Sequence, residues 1–287
     1  MSTISATEVK RLRDQTGAGM MDCKAALTEA NGDFEAATVI LRKKGLASAA
    51  RKAGRTTGKG VIGSWLAPDR MAGVLVEVNC ETDFVARTDD FQQLVANVLA
   101  EIVKAGDKAT PEWLTDPAGP IAPLVAAMIG KAGENMAVSR FVRYAGHGAV
   151  AQYIHLGGEL GVQVELSASP AAAAHPEFAT MAREIAMQIA AVSPQYASRA
   201  AVPSDLLDKE RSIYRAQMES SGKPPQVIDK IVEGKLGSFY EQVVLVDQPS
   251  IRDPKMKVSD VIAAAARAIG ESVSVTRFAR LKVGETA

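Results

Sequence analysis

The sequence is poor in several residue types, and each scarcity excludes a class of protein. Its 287 residues include only two cysteines, Cys23 and Cys80, and aromatic residues make up 5% of the chain. Two cysteines cannot form the disulfide framework of a secreted domain, so we expect reduced thiols and a cytoplasmic protein. The sequence also lacks the run of ~20 apolar residues that a membrane helix requires and the apolar segment of a secretory signal.

An excess of charge of one sign is also absent. The chain carries 33 basic and 33 acidic side chains, which argues against a protein built mainly to coat nucleic acid. The balance conceals an asymmetry, because residues 1–60 hold 11 basic and 6 acidic side chains while the remainder holds 22 and 27. A basic amino-terminal domain attached to an acidic remainder is suited to a protein that binds one protein partner through two separate contacts.

No combination of reactive side chains indicates an enzyme. The three histidines lack the spacing of metal ligands: His147, His155 and His175. The segment Gly54–Gly60 is one residue short of the Walker spacing, and Gly60 stands where the magnesium-binding hydroxyl should be. We therefore expect no catalytic residue, no metal and no cofactor.

Residues 1–55 are predicted to form a small all-helical unit. Ser5 and Glu8 have the spacing of a capping box, which marks the start of the first helix. Capping residues and the glycines that stop helices then alternate along the chain, predicting three helices: Ser5 to Gly17, Asp22 to Gly32 and Asp33 to Gly45.

A basic run follows the third predicted helix. Between Arg42 and Lys59 there are seven lysine and arginine residues and no acidic residue. Such a run could contact RNA or an acidic partner. The commoner interpretation is a solvated helix end that leads into a linker, and we favour it.

The remainder of the chain is an internal repeat. Trp65–Glu77 matches Tyr153–Glu165 at an offset of 88, and each is an alternating stretch split by a turn, which predicts a β-hairpin. Helical spacing follows both hairpins. The segment 134–143 recurs at 271–280 at an offset of 137, and each copy predicts a closing strand.

The second copy contains about 50 extra residues between roughly 190 and 260, and the inserted segment of interest lies at about 200–245. Two apolar stripes at helical spacing flank a turn at 220–224, which predicts an antiparallel helical hairpin. This hairpin could serve a partner, form a homodimer, or pack back on its own domain.

These observations predict an α+β fold. A three-helix domain over 1–55 precedes two related subdomains of hairpin, helix, helix and strand, at 56–145 and 146–287. The second subdomain carries the helical hairpin and ends in a strand and tail at about 271–287.

The segment Asn79–Arg87 lies between a predicted strand and a predicted helix. Either Thr82 or Asp83 is suited to cap that helix, which places Phe84 in its first turn near the surface. Such an aromatic either packs back on the hairpin or protrudes into a partner. From the spacing alone we favour internal packing, because isolated aromatic residues usually pack internally.

The adjacent residues Met20 and Met21 present a similar choice. Methionine fills core gaps and adapts to binding surfaces alike. Without knowledge of a partner, we expect at least one of the two in the core.

Three stretches resemble the family of bacterial elongation factor Ts and together span nearly the whole chain in the family's order. Residues 8–45, which contain the motifs Thr16–Lys24 and Asn31–Asp33, are similar to its amino-terminal domain, which has a ubiquitin-associated-type three-helix fold. Val78–Arg87 is similar to the family's signature. The carboxy-terminal half contains three further matching motifs: Gly222-Lys223-Pro224, Ile231–Lys235 and Gln248-Pro249.

The resemblance implies a guanine-nucleotide exchange factor for elongation factor Tu, with no enzymatic activity of its own. In that family the Asp-Phe pair pushes into the GTPase domain of the partner and disturbs its magnesium and phosphate site, so that GDP leaves. Carried over, Phe84 is the wedge and Asp83 its polar neighbour, framed by Thr82 and Val85. This implication reverses the preference for internal packing of Phe84.

The family also implies contacts outside this motif. Its amino-terminal domain touches the GTPase domain, which nominates four residues: Arg13, Met20, Met21 and Lys24. A histidine in the second hairpin touches the third domain of the partner, which nominates His155, although Glu159 stands where a basic residue is expected. We expect no membrane and no nucleic acid among the partners.

Two functions are alternatives to nucleotide exchange. One is an RNA-binding translation accessory protein that uses residues 42–59, and the other is an adaptor that binds without displacing nucleotide.

Overall fold

A computed structural model describes residues 4–218, 221 and 223–285. Residues 220 and 222 of the predicted turn at 220–224, and the ends of the predicted domains at 1–3 and 286–287, therefore lie outside the described residues. The prediction of a mixed helical and sheet protein is confirmed, because the described residues form α-helices together with two small antiparallel sheets.

The helices and strands follow one another along the chain as follows. The helices are α1 Ala6–Thr16, α2 Met20–Glu29, α3 Phe34–Lys52, α4 Asp83–Ala86, α5 Asp89–Ala105, α6 Pro111–Thr115, α7 Ile121–Ala132, α8 Pro170–Ala173, α9 Pro176–Val192, α10 Ser204–Ala216, α11 Pro225–Val243 and α12 Val258–Ile269. The strands are β1 Lys59–Leu66, β2 Ala72–Cys80, β3 Met136–Ala145, β4 Ala149–Ile154, β5 Leu160–Ser167 and β6 Ser274–Lys282.

The amino-terminal helices begin and end largely as the capping residues predict. Ser5 and Glu8 form the capping box, and Gly17 ends α1 in the left-handed conformation with φ of 67°. Asp33 caps α3 by accepting a hydrogen bond from the backbone N–H of Ala36. The prediction that Asp22 caps the second helix is wrong, because α2 begins at Met20 and Asp22 lies in its first turn.

The predicted end of the third helix at Gly45 is also wrong, since α3 continues to Lys52. Gly45 lies inside the helix, where a Cβ atom would be 3.3 Å from the carbonyl oxygen of Ala126 in α7. The glycine therefore serves close packing of α3 on α7 rather than a stop. As a result, most of the basic run from Arg42 onward is helical and not a linker.

Each repeat folds as a three-stranded antiparallel sheet with its hairpin and its closing strand side by side. The strand orders are β1-β2-β3 and β4-β5-β6. Both hairpins and both closing strands are therefore formed where the repeat predicts them. The register matches as well, because Glu77 lies opposite Arg140 in one sheet and Glu165 opposite Arg277 in the other.

The two sheets pack face to face, and helices cover their outer faces. Alternate side chains of β2 enter a core with α5 and α7, and those of β5 enter a core with α9 and α12. The other side chains of both strands face the opposite sheet, where two repeat-related glycines permit close approach. A Cβ atom at Gly161 would lie 2.5 Å from Ile62, and one at Gly73 would lie 2.7 Å from Gln163.

Replacement of Gly161 by valine is expected to lower the free energy of unfolding by about 1–3 kcal/mol. The added methyl groups would overlap the Ile62 side chain in the opposite sheet, so the two sheets must separate. Urea titration followed by circular dichroism measures the change. Gly234→Ala is the control, because it lies in α11 with no heavy atom within 4 Å of its added Cβ atom and should be neutral or stabilising. Equal losses for the two variants would contradict this account of Gly161.

The inserted hairpin consists of α10 and α11, joined by two ion pairs and packed at its base. Arg211 pairs with Glu233, and Arg215 with Asp229. An apolar cluster around Val244 closes the base. Apolar side chains remain exposed on both helices, namely Ile213 and Val227. A role of this hairpin in contacting a partner or a second copy of the chain therefore stays a prediction.

None of the described helices combines the length and apolar character needed to cross a membrane.

Candidate partner-binding site

The segment Thr82–Val85 forms the beginning of a one-turn helix at the end of the central strand of the first sheet. Thr82 is the N-cap of α4, and its hydroxyl accepts a hydrogen bond from the backbone N–H of Val85 at 3.4 Å. Ala86 is buried and Val85 is half-buried against the core of the first repeat. These two side chains attach α4 to the body, and the other side of the helix faces outward.

Phe84 projects from that outer side with 80% of its surface exposed. Internal packing, favoured by spacing alone, is therefore wrong for this residue. A phenylalanine side chain in water loses the free energy that burial would supply, on the order of 2 kcal/mol. An exposed aromatic ring on a helix that is fixed from behind is suited to enter a pocket of a partner.

Asp83 lies beside Phe84 and forms an ion pair with Arg87. The Asp83 Oδ2 atom is 2.9 Å from the Arg87 Nη2 atom, one helical turn away, and both side chains are exposed. Such pairs contribute little in water. Asp83 can therefore exchange this partner for a group on another protein at small cost.

Glu134, which precedes β3, holds the start of α4. Its Oε2 atom accepts a hydrogen bond from the backbone N–H of Thr82 at 3.0 Å, and its Oε1 atom accepts one from the Thr82 hydroxyl at 2.7 Å. The motif Thr82–Val85 alone does not indicate that Glu134 belongs to the site. The recurrence of Glu134 as Glu271 was the signal that could have indicated it.

A second carboxylate makes the reciprocal connection. The Glu81 Oε1 atom accepts a 2.6 Å hydrogen bond from the backbone N–H of Asn135 and lies 3.1 Å from the Arg55 Nη1 atom. The bond from Asn135 lowers the pKa of Glu81 below its usual value, and Arg55 lowers it further. Asn135 is buried, and its side-chain amide donates to the carbonyl oxygen of Arg55 at 2.8 Å.

The thiol of Cys80 underlies the same turn. It is fully buried and donates to the carbonyl oxygen of Thr82 at 3.1 Å. Burial raises the pKa of this thiol to about 11, and the nearby Glu134 carboxylate acts in the same direction. A neutral thiol is a poor nucleophile, so Cys80 serves packing rather than chemistry.

The second repeat contains the same turn without the aromatic residue. Ser169 is the N-cap of α8, and Glu271 accepts hydrogen bonds from its backbone N–H at 2.7 Å and from its hydroxyl at 2.6 Å. Ala171 occupies the position equivalent to Phe84 and is exposed. The fold therefore provides the turn twice, and one of the two copies presents a large apolar side chain to solvent.

The predicted contacts of the amino-terminal helices lie on their surface. Arg13 is exposed in the last turn of α1, and Met20 and Met21 are 43% and 76% exposed in the first turn of α2. Met21 and Lys24 share a shallow surface depression. The expectation that at least one of the two methionines enters the core is wrong, because Cys23, Ala26 and Leu27 provide the buried face of α2.

His155 is exposed in the turn of the second hairpin, and its Nδ1 atom lies 3.0 Å from the Tyr153 hydroxyl. The residues after it, Gly157 and Glu159, line a cavity of about 130 Å³ together with Asp83 and Ala86 of α4. The second hairpin turn and α4 are thus neighbours. The site residues accordingly occupy three places: the surface of α1 and α2, the wedge helix α4, and the turn beside it.

The basic run is partly engaged in holding the amino-terminal helices to the body. Arg55 pairs with Glu81, and the Lys52 Nζ atom lies 3.5 Å from the carbonyl oxygen of Ile129. Arg42 and Arg51 line a cleft of about 770 Å³ that is bordered by α3, α7 and the turn between α1 and α2. Within the described residues, no three histidine, cysteine or acidic side chains are grouped as metal ligands would be. The most exposed apolar side chains among the site residues are Phe84 and Met21.

Comparison with known proteins identifies relatives over the whole site. A family model described as "Elongation factor TS" matches residues 81–285. A protein of Prosthecochloris aestuarii named elongation factor Ts is 43% identical, with 99% of this chain and 100% of that protein covered. Proteins of the same name from Clostridium perfringens and Trichlorobacter lovleyi are each 42% identical, with 98% of this chain and 93% of the relative covered. The residues matched by the family model include all of α4 and Glu134.

Proposed function

This chain belongs to the elongation factor Ts family, translation elongation factors that act on elongation factor Tu, and on that basis we propose that it promotes release of GDP from its partner. The observation that carries the proposal is the 80% exposure of Phe84 on a helix anchored by its opposite face. The activity belongs to the cytoplasm, where translation takes place.

Phe84 and Asp83 act as the wedge in this proposal. The aromatic ring enters a pocket of the GTPase domain of Tu, and the surrounding structure shifts at the site that holds magnesium and the phosphates of GDP. Seating the ring is worth on the order of 2 kcal/mol, and about 1.4 kcal/mol applied to distortion weakens GDP binding tenfold. Thr82 and Val85 hold the wedge at its base.

No covalent step occurs, so the chain is not an enzyme in the chemical sense. The factor must bind nucleotide-free Tu more tightly than Tu·GDP. By thermodynamic linkage, the factor by which it weakens GDP binding equals the factor by which GDP weakens its own binding. It therefore accelerates exchange, and the cellular ratio of GTP to GDP decides which nucleotide replaces the one released.

The remaining site residues provide contacts away from the wedge. Arg13, Met20, Met21 and Lys24 bind the GTPase domain from the amino-terminal helices, which we propose form a ubiquitin-associated-type domain over 1–55. His155 contacts the third domain of Tu from the second subdomain, 146–287, and α4 belongs to the first, 56–145. Several separate contacts keep the factor bound while the wedge acts at one of them.

The direct test measures nucleotide release from purified Tu of the same organism. Tu loaded with fluorescently labelled GDP is mixed with excess unlabelled GDP and increasing amounts of this chain. The release rate should rise with the concentration of the chain and reach a plateau. A rate that does not change, combined with RNA binding that weakens steeply with salt, would favour the RNA-binding alternative. Binding to Tu without any change in release would favour an adaptor.

A further inference from the structure

Two carboxylates continue the pairing of β2 and β3 beyond the ends of both strands. The backbone ladder ends at Cys80 opposite Met136. Beyond it, Glu81 accepts from the backbone N–H of Asn135, and Glu134 accepts from the backbone N–H and hydroxyl of Thr82. We refer to these four residues, Glu81, Thr82, Glu134 and Asn135, as the clasp. Each side of the clasp supplies one acidic side chain and one backbone donor.

The second repeat contains half of the clasp. Ser169 and Glu271 reproduce the bonds between Thr82 and Glu134. Ala168 stands at the position of Glu81, which removes the second carboxylate. The complete clasp thus occurs in the repeat that carries Phe84, and the half clasp in the repeat that carries alanine at the same position.

The wedge helix needs such support because it is only one turn long. An isolated turn of helix is unstable in water, and Phe84 makes little contact with its own protein. Apart from the clasp, α4 is attached by the packing of Val85 and Ala86 and, at its carboxy-terminal end, by the Gln92 side-chain amide, which donates to the carbonyl oxygen of Ala86 at 2.8 Å. The Thr82 hydroxyl caps α4 while it donates to Glu134, so the carboxylate fixes the residue from which the helix starts.

We propose that Glu134 is a positioning residue for nucleotide exchange, acting through Thr82 to hold α4 and Phe84 in the orientation that enters the partner. The proposal rests on the proposed function. The other contacts with Tu determine binding, whereas the clasp determines the fraction of bound factor whose wedge is correctly oriented. Loss of the clasp therefore lowers the maximal release rate and leaves the concentration for half-maximal release unchanged.

The test compares three variants of the full-length chain with the parent. Glu134→Ala should lower the maximal rate of labelled-GDP release about fivefold, because two hydrogen bonds to a carboxylate are lost. Glu134→Gln retains one acceptor and should recover most of that loss. If the alanine variant does not fold, the test is the smaller reduction of the maximal rate by Glu134→Gln at an unchanged half-maximal concentration, and a parental rate for Glu134→Gln then overturns the role. Glu271→Ala breaks the equivalent bonds in the second repeat. It should lose as much stability in urea as Glu134→Ala and should release GDP at the parental rate.

Three outcomes would overturn the positioning role. One is equal slowing by Glu134→Ala and Glu271→Ala, which indicates a loss of stability alone. Another is a raised half-maximal concentration at an unchanged maximal rate, which indicates a binding contact. The third is a parental rate for Glu134→Ala when Phe84→Ala, measured in parallel, is slow. If Phe84→Ala itself releases GDP at the parental rate, the wedge function fails, and the positioning role with it.

Discussion

Phe84→Ala is expected to slow the release of GDP from elongation factor Tu by about ten- to thirtyfold at saturating factor. The substitution removes the ring that, when buried in the partner, supplies about 2 kcal/mol for distortion of the nucleotide site. Stopped-flow fluorescence of labelled GDP measures the maximal rate. Stability should change by less than about 0.5 kcal/mol, because the ring is 80% exposed in the free protein.

The second repeat offers a matched control for the position of the ring. Phe84→Ala combined with Ala171→Phe restores an exposed phenylalanine on the equivalent one-turn helix α8. If the position of the wedge determines exchange, this double variant should remain as slow as Phe84→Ala. Recovery of the rate would mean that general surface hydrophobicity is sufficient. A parental rate for Phe84→Ala alone would exclude the wedge role.

Local signals in the sequence predicted much of the architecture. Ser5 and Asp33 cap the helices they were expected to cap, because a capping side chain acts on the backbone of its own turn. The hairpins and closing strands are formed where the internal repeat places them. A repeat is informative because two stretches that share an apolar pattern bury the same faces.

The predictions that were wrong concern features that are determined by tertiary packing. The local sequence around Gly45 predicts the end of a helix. In the structure Gly45 instead allows α3 to approach Ala126, a residue 81 positions away in the chain. The sequence is compatible with either a buried or an exposed position for Met20 and Met21. Both are exposed because other residues fill the core of the amino-terminal helices. Short-range sequence patterns carry no information about a neighbour that the fold brings near from a distant segment.

In the candidate site, too, local spacing predicted some features and not others. Spacing placed Phe84 in the first turn of a helix near the surface, and α4 has it there, but spacing alone favoured internal packing. Only the similarity to a known family nominated it as a wedge. Glu134 was visible as part of a repeated motif, but its role depends on a hydrogen bond to Thr82 across 52 residues. Its function follows from the geometry.

The second large effect is expected at the interface between the two sheets, where buried carboxylates pair with arginine side chains. Arg277→Ala is expected to lower the free energy of unfolding by about 3 kcal/mol, because it leaves a buried carboxylate without its charged partner. Glu165 is completely buried, and its Oε2 atom lies 2.7 Å from the Arg277 Nε atom. Its Oε1 atom has no hydrogen-bond partner among the described residues. Urea titration of the variant and the parent measures the loss.

The repeat-related ion pair provides the comparison. Glu77 is also buried and lies 2.7 Å from the Arg140 Nε atom. It receives two further hydrogen bonds, from the Asn79 side chain at 3.0 Å and from the backbone N–H of Gly284 at 2.9 Å. Arg140→Ala therefore leaves Glu77 partly satisfied, and we expect a smaller loss of about 1–2 kcal/mol.

A double substitution separates the loss of a partner from the loss of packing. Glu165→Leu with Arg277→Met removes both charges and retains apolar volume, so it should recover most of the stability lost in Arg277→Ala. If it does not, the contact of the Arg277 guanidinium with the Tyr144 ring, 4.2 Å away across the interface between the sheets, contributes more than the ion pair. A loss in Arg140→Ala as large as that in Arg277→Ala would contradict the argument from hydrogen-bond donors. The two repeats would then tolerate an unpaired buried carboxylate equally well, regardless of the other groups that bind it.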